Sequence, residues 1–188
     1  MSIIAPRTAI IILGLATSGK TTLGQALAKA THLPLVDIDE GPALCTLPHP
    51  QPVEADAAIA LLQKVMRVRY RVLFTAIEAN LAEGFSLIAV ATFSKQSYRD
   101  ELEQAISRAE GNLKVILCHY NTKPFEVKRR ITGRVQSNAV GGVRSIQHFR
   151  QHRNTYEELR LPHLAVQMEL GTDIAEAVRS VLTYVSAG

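Results

Sequence analysis

No apolar run in the chain comes near the roughly 20 residues needed to cross a bilayer. Ala9–Leu13 and Leu87–Ala91, among the longest, are about a quarter of that. The N-terminus carries no signal-peptide pattern, so a cytoplasmic protein without a membrane partner is expected. Cysteine occurs only as Cys45 and Cys118, with no metal-ligand or redox spacing. A disulfide scaffold and a thiolate metal site are therefore not expected, and both residues read as reduced thiols without a role. Internal repeats and low-complexity tracts are also missing.

What is present suits one soluble domain. Hydrophobic residues make up 47% and charged residues 20% of 188, enough to bury a single core, and residues 1–188 are expected to form one unit. The net charge of +4 is concentrated: Lys123–Arg160 holds nine Lys/Arg against three Asp/Glu. Such a segment suits either polyphosphate clamping or nucleic-acid contact.

Strand and helix patterns alternate. Thr8–Leu13 is a β-branched run ending at Gly14, and Leu23, Ala26, Leu27 and Ala30 then recur at helical spacing. Leu35–Ile38 reads as a second strand. Gly41–Pro52, with four prolines, reads as a loop. Glu54–Glu83 lacks proline and glycine and predicts one long helix or two joined ones, stopped by Gly84. Further strands are expected at Phe85–Ala91, Val115–Tyr120 and Ala165–Leu170. Helices are expected at Tyr98–Glu110, from Pro124, around Ser145–Leu159, and from an Asp173/Glu176 capping pair. This alternation predicts an α/β fold with about five parallel strands between helices.

The segment Gly14-Leu-Ala-Thr-Ser-Gly19-Lys20-Thr21 fits G-x-x-x-x-G-K-[ST] between the first strand and the first helix. Glycines let the backbone N–H groups and the helix N-terminus converge on phosphates, Lys20 reaches the β and γ groups, and Thr21 offers a hydroxyl to Mg²⁺. Gly14, Ala16, Thr17, Ser18, Gly19, Lys20, Thr21 and Thr22 are the expected ATP contacts. A P-loop alone does not separate kinases from GTPases or motor ATPases.

The stretch from Gly19 through Asp37-Ile-Asp39-Glu40 resembles the opening of shikimate kinase and gluconate kinase, with a D-x-D closing the second strand. The resemblance implies that Asp37 supports the Mg²⁺ shell and Asp39 takes the acceptor proton. Residues two apart on a strand share a face, so both can look into the crevice at the strand's carboxyl end. The assignment of the base among Asp37, Asp39 and Glu40 stays open. Arg130-Ile-Thr-Gly-Arg134 resembles the entry to the adenylate-kinase lid, which implies Arg130 against the adenine, Arg134 on the phosphates and a mobile lid over about 134–153. Lys128, Arg129, Arg144, Arg150 and Arg153 lie near it. The segment from Gly84 through Arg134, with Phe149 and Tyr156-Glu-Glu-Leu159, is similar to the broad group of P-loop kinases that includes the 5′-hydroxyl polynucleotide kinases.

Two departures shape the reading. Leu87–Ser94 ends without the acidic residue that orders Mg²⁺ water in many P-loop proteins, which moves metal support to Asp37 and weighs against GTPases and motors. The proline-rich loop presents no recognisable acceptor pocket, which leaves the substrate open. The expected activity is ATP- and Mg²⁺-dependent transfer of the γ-phosphate to a hydroxyl of a small acceptor, for which an anionic compound suits Arg67, Arg69 or Arg71. Arg99 reads either as a substrate contact or as an exposed helix arginine. The alternatives are a polynucleotide, nucleoside or nucleotide kinase, and an ATP-binding regulatory NTPase. No wide basic surface argues for long nucleic acid, although an oligonucleotide end fits, and both monomer and homodimer are open.

Overall fold

Every residue of the first strand, β1 (Thr8–Leu13), is buried, as a strand covered on both faces must be. Alternation sends its side chains two ways: Ala9, Ile11 and Leu13 join one apolar cluster, Ile10 and Ile12 another. Each fully buried Ile or Leu contributes about 1.5–3 kcal/mol of transfer free energy. The computed structural model describes residues 4–39, 55–120, 123–136, 143, 145–169 and 171–187. Of these, the side chains of 55–59, 62 and 134 are outside the description.

The remaining elements are α1 (Lys20–Thr31), β2 (Leu35–Asp37), α2 (Ala55–Ala82), β3 (Leu87–Val90), α3 (Gln96–Arg108) and β4 (Asn112–His119). They are followed by α4 (Pro124–Gln136), α5 (Ile146–Asn154), β5 (His163–Gln167) and α6 (Ile174–Ser186). The strands form one parallel sheet in the order β2-β3-β1-β4-β5. Helices α2 and α3 cover the face carrying Ile11, and α1 and α6 the opposite face. A third, smaller cluster of Tyr120, Val127, Ile131, Val143 and Phe149 joins α4 and α5 beside the loop after β1.

The expected α/β architecture is present, and local signals act where they were read. The long helical pattern is one helix, stopped as Gly84, at φ 88°, donates to Leu81 O and Phe85 donates to Asn80 O, both at 2.9 Å. Asp173 Oδ1 caps α6 by accepting from the amides of Ala175 and Glu176, worth about 1 kcal/mol.

Several expectations need correction, among them the strand bounds: β3 is Leu87–Val90, β4 begins at Asn112, and β5 is His163–Gln167, not Ala165–Leu170. β2 stops at Asp37 instead of Ile38, and residues 38–39 turn. Helix α5 ends at Asn154 rather than Leu159, because Glu157 N donates to Ser94 O at 2.9 Å and pulls the chain out of helical register. Arg99 is neither exposed nor a ligand contact. Its side chain is 0% accessible, donating to Phe93 O at 2.9 Å, Glu158 O at 2.6 Å and Glu157 O at 2.7 Å, with its guanidinium over the Tyr156 ring. It clamps the segment after α5 to the end of β3.

Candidate functional site

The loop leaving β1 has a backbone that its sequence dictates. Gly14 has φ 142°, and a Cβ there would collide with the carbonyl of Cys118 on β4, so the strand can bend into the loop only at glycine. Gly19, at φ 90°, is the N-cap of α1, and no side chain caps that helix. Its first-turn N–H groups are thus left for an external anion. Lys20 Nζ donates to Leu15 O at 2.7 Å, folding the ammonium over the loop, and Thr17 Oγ1 shares a 2.7 Å bond with the Tyr120 hydroxyl. The Ser18 hydroxyl is buried with no partner among the described residues. A buried hydroxyl without a partner is uncommon in a folded chain. The Cys118 thiol beneath is pushed up to about 12 by burial, against a small opposing effect of Lys20, in keeping with an inert thiol.

Across from the loop, Thr21 Oγ1 donates to Asp37 Oδ2 at 2.8 Å, and Asp39 N donates to Asp37 Oδ1 at 2.9 Å. Asp37, 5% accessible, stands in register with Val90 of β3. A β2 carboxylate therefore sits beside the strand end that lacks an acid. Thr21 and Asp37 offer adjacent hard oxygens, the donor type Mg²⁺ takes together with water and phosphate oxygens. The site suits that ion on donor chemistry. Among the described residues no group of three or more His, Cys, Asp or Glu is arranged to hold a metal by protein ligands alone. Asp37 and Asp39 both line one cleft, though by a turn held by the Asp37 carboxylate and not by the strand alternation expected.

Arg130 is drawn inward. It donates to Thr17 O at 3.0 Å, to Met168 O at 2.6 Å and to Glu126 Oε1 at 2.7 Å, and its guanidinium lies 4.5 Å from the Tyr120 ring centroid. It joins α4, the phosphate loop and the end of β5 at one point. Tyr120, Glu126 and Met168 were not singled out in the sequence, and only the i, i+4 spacing of Glu126 and Arg130 signalled any part of this. Arg134 lies on α4, but its side chain is outside the described residues. Arg144, Glu40, Cys45 and the loop 41–52 are outside them too, as is most of the lid segment before α5. Lys128, Arg129, Arg150 and Arg153 are exposed. The groups that α5 turns toward the cleft are His148 and His152, with ring centroids 4.7 Å apart. Burial, then His148 and Lys20, hold His152 below its ordinary value.

The cleft has a volume of about 630 Å³ and runs from the phosphate loop to a wall formed by α2 and the start of α3. Of the three arginines considered on α2, Arg69 lines it, while Arg67 and Arg71 face outward. Tyr70 and Tyr98 close the far end, stacked at 3.9 Å with 17° between planes. The Tyr70 hydroxyl accepts Phe93 N at 2.9 Å, and burial raises it well above the usual phenol range. Among the described residues no helix is long and apolar enough to cross a membrane.

A family model described as an AAA domain, AAA_33, matches residues 10–159. No curated protein sequence matches significantly. Among solved structures, a protein of Chloroflexus aurantiacus J-10-fl is similar at 22% identity and a TM-score of 0.75, covering 99% of this chain and 100% of its own. A gluconokinase from Sinorhizobium meliloti 1021 is 22% identical with a TM-score of 0.61, covering 96% of this chain and 92% of its own. The Mycobacterium tuberculosis APS kinase CysC, in complex with AMPPNP and APS, is 15% identical with a TM-score of 0.61, covering 97% and 99%. The chain has the fold of P-loop kinases.

Proposed function

We propose, from the premise that the chain belongs to the AAA_33 family of AAA domains, that it transfers the γ-phosphate of ATP to a hydroxyl of a small acceptor. One observation carries the reading: the phosphate loop, the Thr21–Asp37 pair and Asp39 open onto a single cleft with room for both a nucleotide end and a second molecule. A gluconokinase and an APS kinase in complex with AMPPNP and APS share the fold, which supports the reading.

In this reading the loop amides and Lys20 bind the triphosphate. Arg130, braced between Thr17 and Tyr120, is a flat plate beside the nucleotide. Thr21 and Asp37 would hold Mg²⁺, which would supply positive charge to offset that of the transferring phosphate. Asp39 orients the acceptor hydroxyl. Its carboxylate takes the hydroxyl proton as the acceptor oxygen bonds to the γ-phosphorus and the bond to the β–γ bridging oxygen breaks, releasing ADP. The chemistry demands mainly alignment and water exclusion. Arg134, at the end of α4, is the residue proposed to close onto the phosphates.

The test is ADP release with ATP and Mg²⁺, with and without sugar acids, sugars, nucleosides, nucleotides and 5′-hydroxyl oligonucleotides. Stimulation by one acceptor class supports transfer. Rapid release that no acceptor changes would replace it with a regulatory NTPase.

A further inference from the structure

Helix α2 changes character along one stripe. Toward its C-terminal end, Leu73, Phe74, Ile77 and Leu81 enter the core. Upstream on the same side, Gln63, Met66, Arg69 and Tyr70 line the cleft, at the three- and four-residue spacing that keeps one helical face. Met66 is the apolar part of this wall, between the polar Gln63 and Arg69. Opposite stands Tyr98 of α3, half-buried and stacked on Tyr70. Tyr70 is itself fixed by its bond to Phe93 N and by contacts with the Phe74 and Phe93 rings. Tyr70 is 2% accessible and acts as the backing, so the aromatic surface offered to the cleft is that of Tyr98, preordered by the stack, with Met66 beside it to pack against a ring edge.

One cation in that wall has no partner among the described residues. Arg99 and Arg130 are spent on backbone carbonyls, and Lys95 is paired with Glu157 at 3.3 Å. Arg69, half-buried in the cleft, makes no hydrogen bond or ion pair among the described residues. A partly desolvated guanidinium of this kind is suited to a carboxylate or other planar oxyanion, which it can grip with two parallel bonds.

Resting on the transferase reading, we propose that the acceptor is an alcohol with a flat apolar or aromatic body and one anionic group. The body lies against Tyr98, which Tyr70 backs, and Met66, with the anion on Arg69 and the hydroxyl toward Asp39. A polyol acid fits this wall poorly, because several of its hydroxyls would lose water against Met66 and the Tyr98 ring without gaining partners.

Binding to the protein preloaded with AMPPNP and Mg²⁺, followed by titration calorimetry, tests the acceptor class with three probes: 4-(hydroxymethyl)benzoate, benzyl alcohol and gluconate. The expected result is at least about ten-fold tighter binding of the aryl acid than of either other probe. Arg69→Gln should cost about ten-fold for the aryl acid and leave benzyl alcohol unchanged, while Tyr98→Ala should weaken both aryl probes and not gluconate. Tighter binding of gluconate, or variants that shift no probe or all three alike, would overturn the proposal. Turnover separates the two layers. Phosphorylation of gluconate in place of the aryl acid removes this acceptor class and leaves the transferase, whereas tight aryl binding with no phosphorylation keeps the site and removes the transfer.

Discussion

The Thr21 hydroxyl donates a 2.8 Å hydrogen bond to Oδ2 of Asp37, joining the first turn of α1 to the end of β2. Because the other oxygen of this carboxylate holds the Asp39 amide, one side chain sets both the proposed metal position and the turn that aims the proposed base. Asp37→Asn keeps the shape but removes the charge. The expected outcome is an increase of about ten-fold or more in the Mg²⁺ concentration giving half-maximal activity. Stability should fall by about 1–3 kcal/mol, since a buried partner is replaced by a poorer acceptor. Magnesium titration of activity and a urea melt check the two parts.

Arg99 tests the clamp after β3. Arg99→Ala leaves the carbonyls of Phe93, Glu157 and Glu158 without their donor, so a loss of about 3 kcal/mol or more is expected in denaturant unfolding. Arg99→Lys should recover only part of it, because one ammonium cannot reproduce the guanidinium fork.

Arg130 braces the phosphate loop through Thr17 O and the β5 end through Met168 O. Arg130→Ala should therefore raise the ATP KM by about ten-fold or more, with a smaller change in the acceptor KM. A matched rise in the acceptor KM would show that its role is not confined to the nucleotide half.

His152 gives the pH dependence. Its folded-state value lies below the ordinary 6.5, with burial as the largest cause and His148 and Lys20 adding to it. Between the lowered value and 6.5 the unfolded chain binds a proton that the folded chain does not. Stability is therefore fully present above the ordinary value and is lost as pH falls through that window. Thermal melts from pH 7.5 to 5 should show a declining Tm, and His152→Gln should flatten part of the decline. An unchanged slope would place the acid sensitivity elsewhere.

What could be read in the sequence was what local chemistry decides. The phosphate loop lies where its glycines and its place between strand and helix require, Gly84 stops α2, and Asp173 caps α6. Asp37 and Asp39 were legible as a pair, but their common aim comes from a side-chain-held turn that strand alternation does not describe. Arg99 was illegible because its position on a polar helix resembles that of any surface arginine. Only the return of residues 157–158, far along the chain, supplies the carbonyls that make burial favourable. The same reason hid the Tyr70–Tyr98 stack, the Arg130–Tyr120 contact and the turn of His148 and His152 toward the cleft, each of which joins segments or faces that only tertiary packing brings together.

The most direct measurement follows the γ-phosphate itself. ATP labelled at that position is incubated with the protein, Mg²⁺ and the best acceptor, and Asp39→Asn is run in parallel after its ATP affinity has been shown to match the unaltered protein. The account expects label on the acceptor hydroxyl, with transfer reduced about a hundred-fold or more by Asp39→Asn. Label appearing as inorganic phosphate at the same rate with and without acceptor, and in both proteins, would contradict it.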